Sequence, residues 1–373
     1  MAYLGESIPK LGFGLMRLPM KDSEIDIEQT IEMADLFLDS GFTYFDTAYG
    51  YFEGKSEEAA KAAIVDRYPR EKFQLATKLP AWARTKTADD AKQMFWTSLK
   101  RTGAGYFDFY LLHNIGATRT KSFDDFGMWD FILELKEKGL IRHAGFSFHD
   151  KADLLDEIFT KHPEMEFVQL QVNYGDWDNG NVQSRLCYET ARKHGKSVVI
   201  MEPVKGGMLA DLLAPEVKAV FDESGAGMSY ASWAIRFAAS LEGVVTVLSG
   251  MSSLDQMKDN VSYMKNFRPL DDKERAVLDK AREVLTSIPS IQCTACEYCV
   301  AGCPNNIVIP RILEMLNREM VYKDARAAKF GYSWETNFGG KGSACIECGK
   351  CEEVCPQQLN IIELLKEAVA KYE

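Results

Sequence analysis

The sequence has no surplus of positive charge. Its 44 lysines and arginines are outnumbered by 55 aspartates and glutamates, which gives a formal net charge of -11 at pH 7. Nucleic-acid binding depends on clustered basic side chains that neutralise phosphates. We therefore expect no nucleic-acid partner.

Long hydrophobic runs and an export signal are also lacking. The first residues, MAYLGESIPKLGFG, have neither a basic start nor an apolar core, and no apolar stretch has the length of a membrane span. We therefore expect a cytoplasmic protein with no membrane partner. The composition is that of an ordinary globular protein, which argues against disorder.

No glycine-rich nucleotide motif follows a predicted strand. GFGLMR supplies only the first two glycines of G-x-G-x-x-G, and GKSVV lacks the upstream glycine of a P-loop. A Rossmann domain and a P-loop fold are both disfavoured.

Cysteine, by contrast, is concentrated near the C-terminal end. Eight of the nine cysteines form two runs that each read C-x-x-C-x-x-C-x-x-x-C-P, the spacing of bacterial two-cluster ferredoxins, in which the last cysteine of each run binds the other cluster. This predicts two [4Fe-4S] clusters. One is assigned to Cys293, Cys296, Cys299 and Cys355, and the other to Cys345, Cys348, Cys351 and Cys303.

Two other uses of these cysteines are less well supported. Disulfides belong to oxidising compartments, and C-x-x-C spacing in a chain without an export signal indicates metal or redox use. A zinc site needs four ligands and explains neither the longer runs nor the proline that closes each one. We interpret the ninth cysteine, Cys187, as a small apolar residue on a helix.

Residues 1–285 alternate short apolar runs with segments of helical periodicity. The eight candidate strands are KLGFGLM, FTYFDTA, FQLATK, DFYLLH, RHAGFS, FVQLQV, SVVIME and VVTVLSG. Eight such alternations predict a (β/α)8 TIM barrel, with a doubly wound sheet as the competing fold. Residues 286–373 are predicted to form a small ferredoxin-like iron-sulfur domain, α+β or α-helical.

Polar side chains stand at the ends of the candidate strands, where a barrel places its active site. They are Asp46, Lys78, His113, Ser147, Gln171, Glu202 and Ser249. A single buried polar residue is usually a satisfied core group, but several at one rim indicate chemistry. Tyr51 follows Asp46 on a loop, and a nearby Lys78 ammonium would lower the pKa of its hydroxyl, with Asp46 balancing the lysine. His113 would orient a carbonyl oxygen.

These residues carry a resemblance to a known family. FDTAYGY, the TK of FQLATK, and YLLH resemble the tetrad motifs of the aldo/keto reductases, and LGFGLMRLP, HAGFSFH, QVNY and EPVKGGML are similar to other strand-end blocks of that family. The resemblance covers about residues 1–265. It implies a barrel that binds NADPH and interconverts carbonyls and alcohols, with Tyr51 as proton donor, Lys78 and Asp46 tuning it, and His113 orienting the substrate.

The resemblance also implies where the nucleotide binds. Ser147 and Gln171 correspond to contacts of the nicotinamide amide, although Phe148 stands where the family usually has asparagine. The segment LSGMSSLDQMKDN fits a phosphate site at a helix start, or an ordinary serine-capped helix. The family favours NADP(H), with NAD(H) as the alternative. The predicted contacts are Arg17, Ser147, Gln171, Glu202, Gly250, Ser252, Ser253, Gln256 and Asn260.

The purpose of the clusters has three interpretations. A hydride carries two electrons and each cluster accepts one, so a direct route between them needs a flavin such as FMN. In the first interpretation the barrel reduces a small carbonyl compound by itself. In the second a ferredoxin or flavoprotein partner sends electrons through the clusters to the barrel. In the third the protein senses redox state with little turnover.

The substrate and the oligomeric state are not fixed by the sequence. Three tryptophans in or near the mouth loops are candidates for apolar walls of a substrate pocket, although core packing explains them equally well: Trp82, Trp129 and Trp177.

Overall fold

The computed structural model describes residues 3–83, 85–117, 119–180, 182–211, 213–291, 293, 298–353, 355 and 359–373. The chain forms two compact units. The first comprises Met1–Gly206 and Met228–Glu274, and the second comprises Gly207–Gly227 and Arg275–Glu373. The predicted domain boundary between residues 285 and 286 stays a prediction.

Eight parallel strands close into a barrel in the first unit. A small antiparallel hairpin, β2 (Met20–Lys21) and β3 (Glu24–Ile25), lies outside it. The barrel strands are β1 (Leu11–Gly14), β4 (Tyr44–Asp46), β5 (Gln74–Leu79), β6 (Phe107–Ile115), β7 (Ile141–Phe148), β8 (Phe167–Gln171), β9 (Ser197–Met201) and β10 (Val244–Ser249). The predicted (β/α)8 barrel is confirmed, and the doubly wound sheet is excluded.

Helices follow the strands of the barrel. They are Ile27–Asp39, Lys55–Ala60 with its extension Lys61–Val65, Ala88–Thr102, Thr120–Asp125, Met128–Glu137, Ala152–Lys161, Ser184–Lys193, Tyr230–Ala239 and Leu254–Met264. Their ends follow local chemistry: Thr87 and Asp90 form a capping box before Ala88–Thr102, which ends at Gly103 with φ 65°.

Alternation along the strands divides the apolar side chains between two layers. One layer packs between strands and helices and includes Phe45. The other, which includes Tyr44, Phe109, Phe167 and Val199, forms a separate cluster. Because successive strand residues point to opposite faces, Asp46 lies on the same face as Tyr44, inside the barrel. The filled interior therefore leaves the polar groups at the C-terminal ends of the strands.

The second unit is helical. Its helices are Pro215–Glu223, Asp272–Ser287 from Arg275 onward, Tyr298–Ala301, Ile309–Tyr322, Ala325–Glu335, Lys350–Glu353 and Ile361–Tyr372. The Ile309–Tyr322, Ala325–Glu335 and Ile361–Tyr372 helices share a core that also contains Cys299 and Cys351. No helix among the described residues is long and apolar enough to cross a membrane.

Candidate active site

The four predicted tetrad side chains meet at the C-terminal ends of β4, β5 and β6. Lys78 Nζ donates to Asp46 Oδ1 at 2.5 Å and to the carbonyl oxygen of Thr47 at 2.7 Å. It also donates to Tyr51 Oη at 3.5 Å. The Tyr51 and His113 rings are 5.9 Å apart in an edge-on arrangement. The buried Lys78 ammonium thus links the Asp46 side chain to the Tyr51 hydroxyl.

Burial dominates the protonation of this group. It raises the pKa of Tyr51, and the Lys78 charge offsets only part of that rise. The prediction that Lys78 brings the pKa of Tyr51 below its usual value is therefore wrong in net direction, although the lysine acts in the expected sense. Burial also raises the pKa of Asp46 against the pull of Lys78.

Lys78 stays protonated despite its burial. Desolvation lowers the pKa of Lys78, but the Asp46 carboxylate and Tyr51 raise it by more, so the net shift is upward. Its side chain is 0% exposed. A positive charge is therefore held at the bottom of the mouth, next to the Tyr51 hydroxyl.

The Tyr51 loop is held by residues that the sequence did not single out. Arg101 Nη1 donates to the Tyr49 carbonyl oxygen at 3.0 Å and to Glu57 Oε2 at 3.2 Å. Thr77, which precedes Lys78 on β5, donates its hydroxyl to Glu57 Oε1 at 2.7 Å. The fully buried Glu57 therefore ties the Lys78 strand to the loop that carries Tyr51.

The backbone of that loop needs such support. Phe52 and Glu53 adopt left-handed φ angles of 49° and 57°, which L-residues avoid. Gly54 has φ 99°, and a Cβ there would lie 2.4 Å from Cζ of Arg101. Glycine is required at residue 54 for both reasons.

His113 is a neutral imidazole. Its pKa lies well below the usual value, first because of burial and then because of the positive charge of Lys78. Its Nδ1 is buried and has no hydrogen-bond partner among the described residues. The Trp82 indole N–H donates to the His113 carbonyl oxygen at 2.8 Å, which places this tryptophan at the mouth.

The other two candidate tryptophans pack elsewhere in the first unit. Trp129 is 5% exposed and stacks on His162 with ring centroids 3.8 Å apart. Trp177 packs edge-on against Phe237 at 5.2 Å.

The predicted nicotinamide contacts lie on neighbouring strands. Ser147 Oγ on β7 accepts the Asn114 N–H at 2.8 Å. Gln171 ends β8, and Glu202 follows β9 with φ 54°. Glu202 pairs with Arg17 at 2.8 Å. Gly250 follows β10, and a Cβ there would be 3.4 Å from Cδ of Arg17.

The predicted phosphate site lies at the start of the Leu254–Met264 helix. Ser253 caps the helix by accepting the Gln256 N–H at 3.3 Å, and Gln256 Oε1 accepts the Ser252 N–H at 2.8 Å. Asn260 is 4% exposed, and its Nδ2 donates to Ser249 Oγ at 2.7 Å. The backbone N–H groups of Ser252 and Gln256 at the helix start therefore already have acceptors within the protein.

Negative charge surrounds this helix start. A pocket there is lined by Asp26, Glu28, Gln29, Glu32, Ser253, Leu254 and Asp255. Lys258, the first basic residue of the segment, lies 3.8 Å from Asp255. The Lys78 ammonium and the Tyr51 hydroxyl at the tetrad fit a site for hydride and proton transfer. The start of the Leu254–Met264 helix fits a phosphate less well, because carboxylates line the pocket beside it.

Four predicted ligands of one cluster face a common cavity in the second unit. Its lining includes Cys303, Cys345, Cys348 and Cys351, with apolar side chains such as Ile307, Ile309 and Leu365. Among the described residues no three His, Cys, Asp or Glu side chains are arranged to hold a single ion. Each thiolate of a [4Fe-4S] cluster binds its own iron, and the four cysteines that line this cavity are the number of ligands that one such cluster needs.

The other predicted ligand set is only partly described. Cys293 and Cys355 are half-buried and Cys299 is buried, all within the core of the second unit. Cys296 lies outside the described residues.

Comparison with known proteins agrees with this geometry. A family model described as "Aldo/keto reductase family" matches residues 10–283. The chain belongs to the aldo/keto reductase family. A second model, described as "4Fe-4S dicluster domain", matches residues 278–360.

Relatives of this aldo/keto reductase match part of the chain. An aldo-keto reductase of Mycolicibacterium smegmatis is 30% identical, over 38% of this chain and 47% of its own length. One of Mycobacterium sp. strain MCS is 31% identical, over 46% of this chain and 60% of its own. The matches thus span about half the length of these two relatives. The holo form of an aldo-keto reductase from Bacillus halodurans superposes with a TM-score of 0.60 at 26% identity, over 75% of this chain and 95% of its own.

Proposed function

We propose that the barrel reduces the carbonyl group of an aldehyde or ketone to an alcohol, or catalyses the reverse, with a nicotinamide dinucleotide as the hydride source. The observation that carries this proposal is the buried Lys78 ammonium, bonded at once to Asp46 and to the Tyr51 hydroxyl. This arrangement stabilises negative charge on the phenol oxygen.

Each of the four tetrad residues has a separate role in the proposed proton transfer. A nicotinamide nucleotide, which Ser147 and Gln171 would hold, would supply the hydride that the carbonyl carbon receives. Tyr51 gives its hydroxyl proton to the carbonyl oxygen, and the phenolate that forms lies beside Lys78. Asp46 keeps the lysine charged and in place. Neutral His113 donates a hydrogen bond to the same oxygen and orients the carbonyl.

The raised pKa of Tyr51 suits the reducing direction. A phenol whose pKa lies above its usual value stays protonated throughout the neutral range, so the proton donor is present. Loss of the proton during the reaction is made easier by the adjacent ammonium. In the reverse direction the phenolate is the base, which favours alkaline pH.

The nucleotide contacts are proposed at Ser147, Gln171 and Glu202 around the nicotinamide, and at Gly250, Ser252, Ser253, Gln256 and Asn260 around the phosphates. Arg17, whose side chain lies beside Gly250, is proposed to supply positive charge at the phosphate end. NADP(H) is the family's usual partner, and a carboxylate-lined helix start also suits NAD(H), whose ribose carries no phosphate. Direct titration of both nucleotides distinguishes them.

Replacing Tyr51 by phenylalanine tests the function. Tyr51→Phe should lower the rate of NAD(P)H-dependent aldehyde reduction by about 10²- to 10⁴-fold, because the proton donor is lost, while nucleotide binding stays nearly unchanged. Tyr44→Phe is the matched control, since its buried hydroxyl has no partner among the described residues. Unchanged turnover in Tyr51→Phe would overturn the assignment.

For the second unit we propose two [4Fe-4S] clusters on the two cysteine sets assigned above. Electron transfer from a ferredoxin or flavoprotein is the second candidate function, and one observation favours it: Cys348 is exposed and its neighbour Ile346 is 64% exposed. A cluster on this cysteine set would have an exposed ligand, through which a partner protein would exchange electrons. FMN would then be needed to join one-electron and hydride chemistry.

The proposal also covers where the protein resides and where its two functional parts join. We place the protein in the cytoplasm and set the junction of its two functional parts near residue 285, as the sequence predicts. A redox-sensing role with little turnover remains the third hypothesis, and the intact tetrad disfavours it because nucleotide binding alone requires neither Tyr51 nor Lys78.

A further inference from the structure

The outer face of one helix in the second unit exposes large aromatic side chains. Phe330 and Trp334 lie four residues apart on the Ala325–Glu335 helix, and Phe338 follows the end of that helix. Phe330 and Phe338 are 72% and 71% exposed, the highest values among the large apolar side chains that the structure describes. The Trp334 and Phe338 rings lie edge-on with their centroids 5.6 Å apart. Because residues four apart are neighbours on a helix, these three side chains form one apolar surface, the aromatic stripe.

The opposite face of the same helix is already packed. Ala328 and Tyr332 are buried in the core that this helix shares with the Ile309–Tyr322 and Ile361–Tyr372 helices. A surface helix is held to its core by one apolar face and normally presents polar side chains on the other. The aromatic stripe lies outside that core, and exposed apolar side chains that adjoin one another mark a binding surface.

Basic side chains border the aromatic stripe. Residues 323–341 carry four basic and two acidic side chains, although acidic residues outnumber basic ones in the whole chain. Arg326 and Lys329 are exposed on the side of the helix that carries the stripe, and Lys341 is exposed just after the stripe ends. None of these three cations forms a salt bridge with a carboxylate among the described residues. Their charge therefore favours a partner with an acidic surface.

The stripe ends beside the cysteine cavity. Gly340, two residues after Phe338, pairs with Ile307 in an isolated parallel bridge. A Cβ at residue 340 would lie 2.3 Å from the Asn305 carbonyl oxygen, so this close approach of two backbones requires glycine. Asn305 and Ile307 line the cavity whose lining also includes the exposed Cys348. A protein bound on the stripe would therefore lie next to this cysteine set.

We propose that the aromatic stripe, bordered by Arg326, Lys329 and Lys341, docks a small acidic protein that carries single electrons. Electron-transfer partners meet through small interfaces, below about 1,200 Å², in which an apolar centre makes contact and charge steers the approach. Each encounter would move one electron from the reduced carrier to a cluster on the adjoining cysteine set, and no bond is formed or broken. This inference rests on the second candidate function, electron transfer through the clusters, and names its docking surface and the charge of the partner.

Two other occupants fit these observations less well. A second copy of this chain, docked through the same surface, would bring two basic borders together, and like charges oppose that contact. A lipid surface suits aromatic and basic side chains, but it gives no reason for the stripe to adjoin the cysteine cavity.

Calorimetry with defined carriers tests the docking surface. The reconstituted protein would be titrated with a plant-type [2Fe-2S] ferredoxin, which is small and acidic, and with cytochrome c, which is small and basic. It should bind the ferredoxin, and the affinity should fall by about 10-fold between about 50 and about 300 mM NaCl because salt screens the basic border. Equal affinity for the two carriers, or no binding of the ferredoxin, would overturn the proposal.

Two double variants assign the binding to the stripe and to its border. Trp334→Ala/Phe338→Ala should weaken ferredoxin binding by about 10- to 100-fold, because the aromatic contact area is lost. Arg326→Glu/Lys329→Glu should weaken it by a similar factor and remove most of its salt dependence. All four side chains are exposed, so iron content and the thermal midpoint should match the parent. Unchanged ferredoxin affinity in both variants would overturn the proposal.

The barrel provides a matched control. Trp96→Ala/Leu186→Ala truncates two exposed apolar side chains of the first unit and should leave ferredoxin affinity unchanged. A loss equal to that of Trp334→Ala/Phe338→Ala would mean that the binding is not specific to the stripe and would overturn the proposal.

Further measurements separate docking from electron transfer and from the other occupants. Reduced ferredoxin should bleach the visible absorbance of the clusters, more slowly in Trp334→Ala/Phe338→Ala than in the parent. Ferredoxin that binds at the stripe without reducing the clusters would count against the electron-transfer function and not against the surface. Loss of a dimer in sedimentation, or of binding to phosphatidylserine vesicles, in a stripe variant with unchanged ferredoxin affinity would overturn the proposal in favour of a second copy or a lipid.

Discussion

In the barrel, the tetrad side chains are held by hydrogen bonds that the fold itself provides, whereas in the second unit the predicted cluster ligands are part of the core. Lys78 is fixed by Asp46, Thr47 and Tyr51, and the loop that carries Tyr51 is fixed by Glu57. Cys299 and Cys351 are 8% and 9% exposed and pack among the apolar side chains of the small helical core.

The difference concerns what each site needs in order to form. A site built from internal bonds over a large core is organised before a ligand arrives. A small core that contains metal ligands gains folding free energy from the metal group, so binding and folding are coupled. We therefore expect the barrel mouth to survive loss of the clusters, and the second unit to depend on them.

The largest expected effect is removal of a cluster ligand in the second unit. Cys351→Ser should release about four iron atoms per chain and expose residues 275–373 to protease, because the cavity loses one of its four thiolates. Iron and sulfide analysis after anaerobic reconstitution, with limited proteolysis, checks both.

A cysteine of the barrel provides the control. Cys187→Ser alters a 4% exposed residue on the Ser184–Lys193 helix and should leave the iron content unchanged. Full iron content in Cys351→Ser would contradict the cluster assignment.

In the barrel, the next effect is expected from breaking the buried ion pair. Lys78→Met leaves Asp46 buried without its cation and should lower the free energy of unfolding by about 3–5 kcal/mol. Urea denaturation measures the loss. The double variant Asp46→Asn/Lys78→Met should recover much of it, and a single variant as stable as the parent would show that the pair is not buried as described.

A smaller effect should follow from loosening the Tyr51 loop. Glu57→Gln removes the carboxylate that binds both Arg101 and Thr77, so the loop that carries Tyr51 loses part of its support. A displacement of Tyr51 by about 1 Å should lower kcat by up to about 10²-fold. The affinity for the nucleotide should change little. Steady-state kinetics with nucleotide titration separates the two. Glu53→Gln, exposed on the same loop, is the control, and an equal fall in both variants would contradict a specific role for Glu57.

The smallest expected effect is on the pH profile. Because the pKa of His113 lies well below its usual value, the imidazole takes up no proton as pH falls from 8 to 6.5, and the rate of reduction should show no inflection there. Because the pKa of Tyr51 is raised, loss of its proton should reduce the rate only above about pH 10. An inflection near pH 6.5 that disappears in His113→Gln would contradict the neutral imidazole.

Much of the fold and the four tetrad residues could be predicted because both depend on patterns of neighbouring residues in the sequence. Strand and helix periods set the barrel, and polar residues at successive strand ends marked the mouth. Glu57 and Arg101 gave no such signal, because they act through bonds to residues 20 and 52 positions away in the chain. Only the folded structure brings them to the Tyr51 loop.

Other features depend on quantities that a sequence does not specify. The direction of the Tyr51 pKa shift is a balance between burial and the Lys78 charge, and burial outweighs the charge. The acidic surroundings of the Ser253 helix start come from Asp26, Glu28 and Glu32, which are more than 200 residues away along the chain. The second cysteine run was found from its spacing, while its shared cavity with Cys303 required the structure.

Isotope transfer tests most directly whether the barrel completes the hydride chemistry without the clusters. The protein, with and without its iron, would reduce an aldehyde using NAD(P)H that carries deuterium at the transferable position of C4. We predict that the alcohol carries that deuterium at its carbinol carbon in both preparations, in a one-to-one ratio with nucleotide oxidised. An alcohol that carries solvent hydrogen instead, or formation of product only when iron is present, would contradict direct hydride transfer in the barrel.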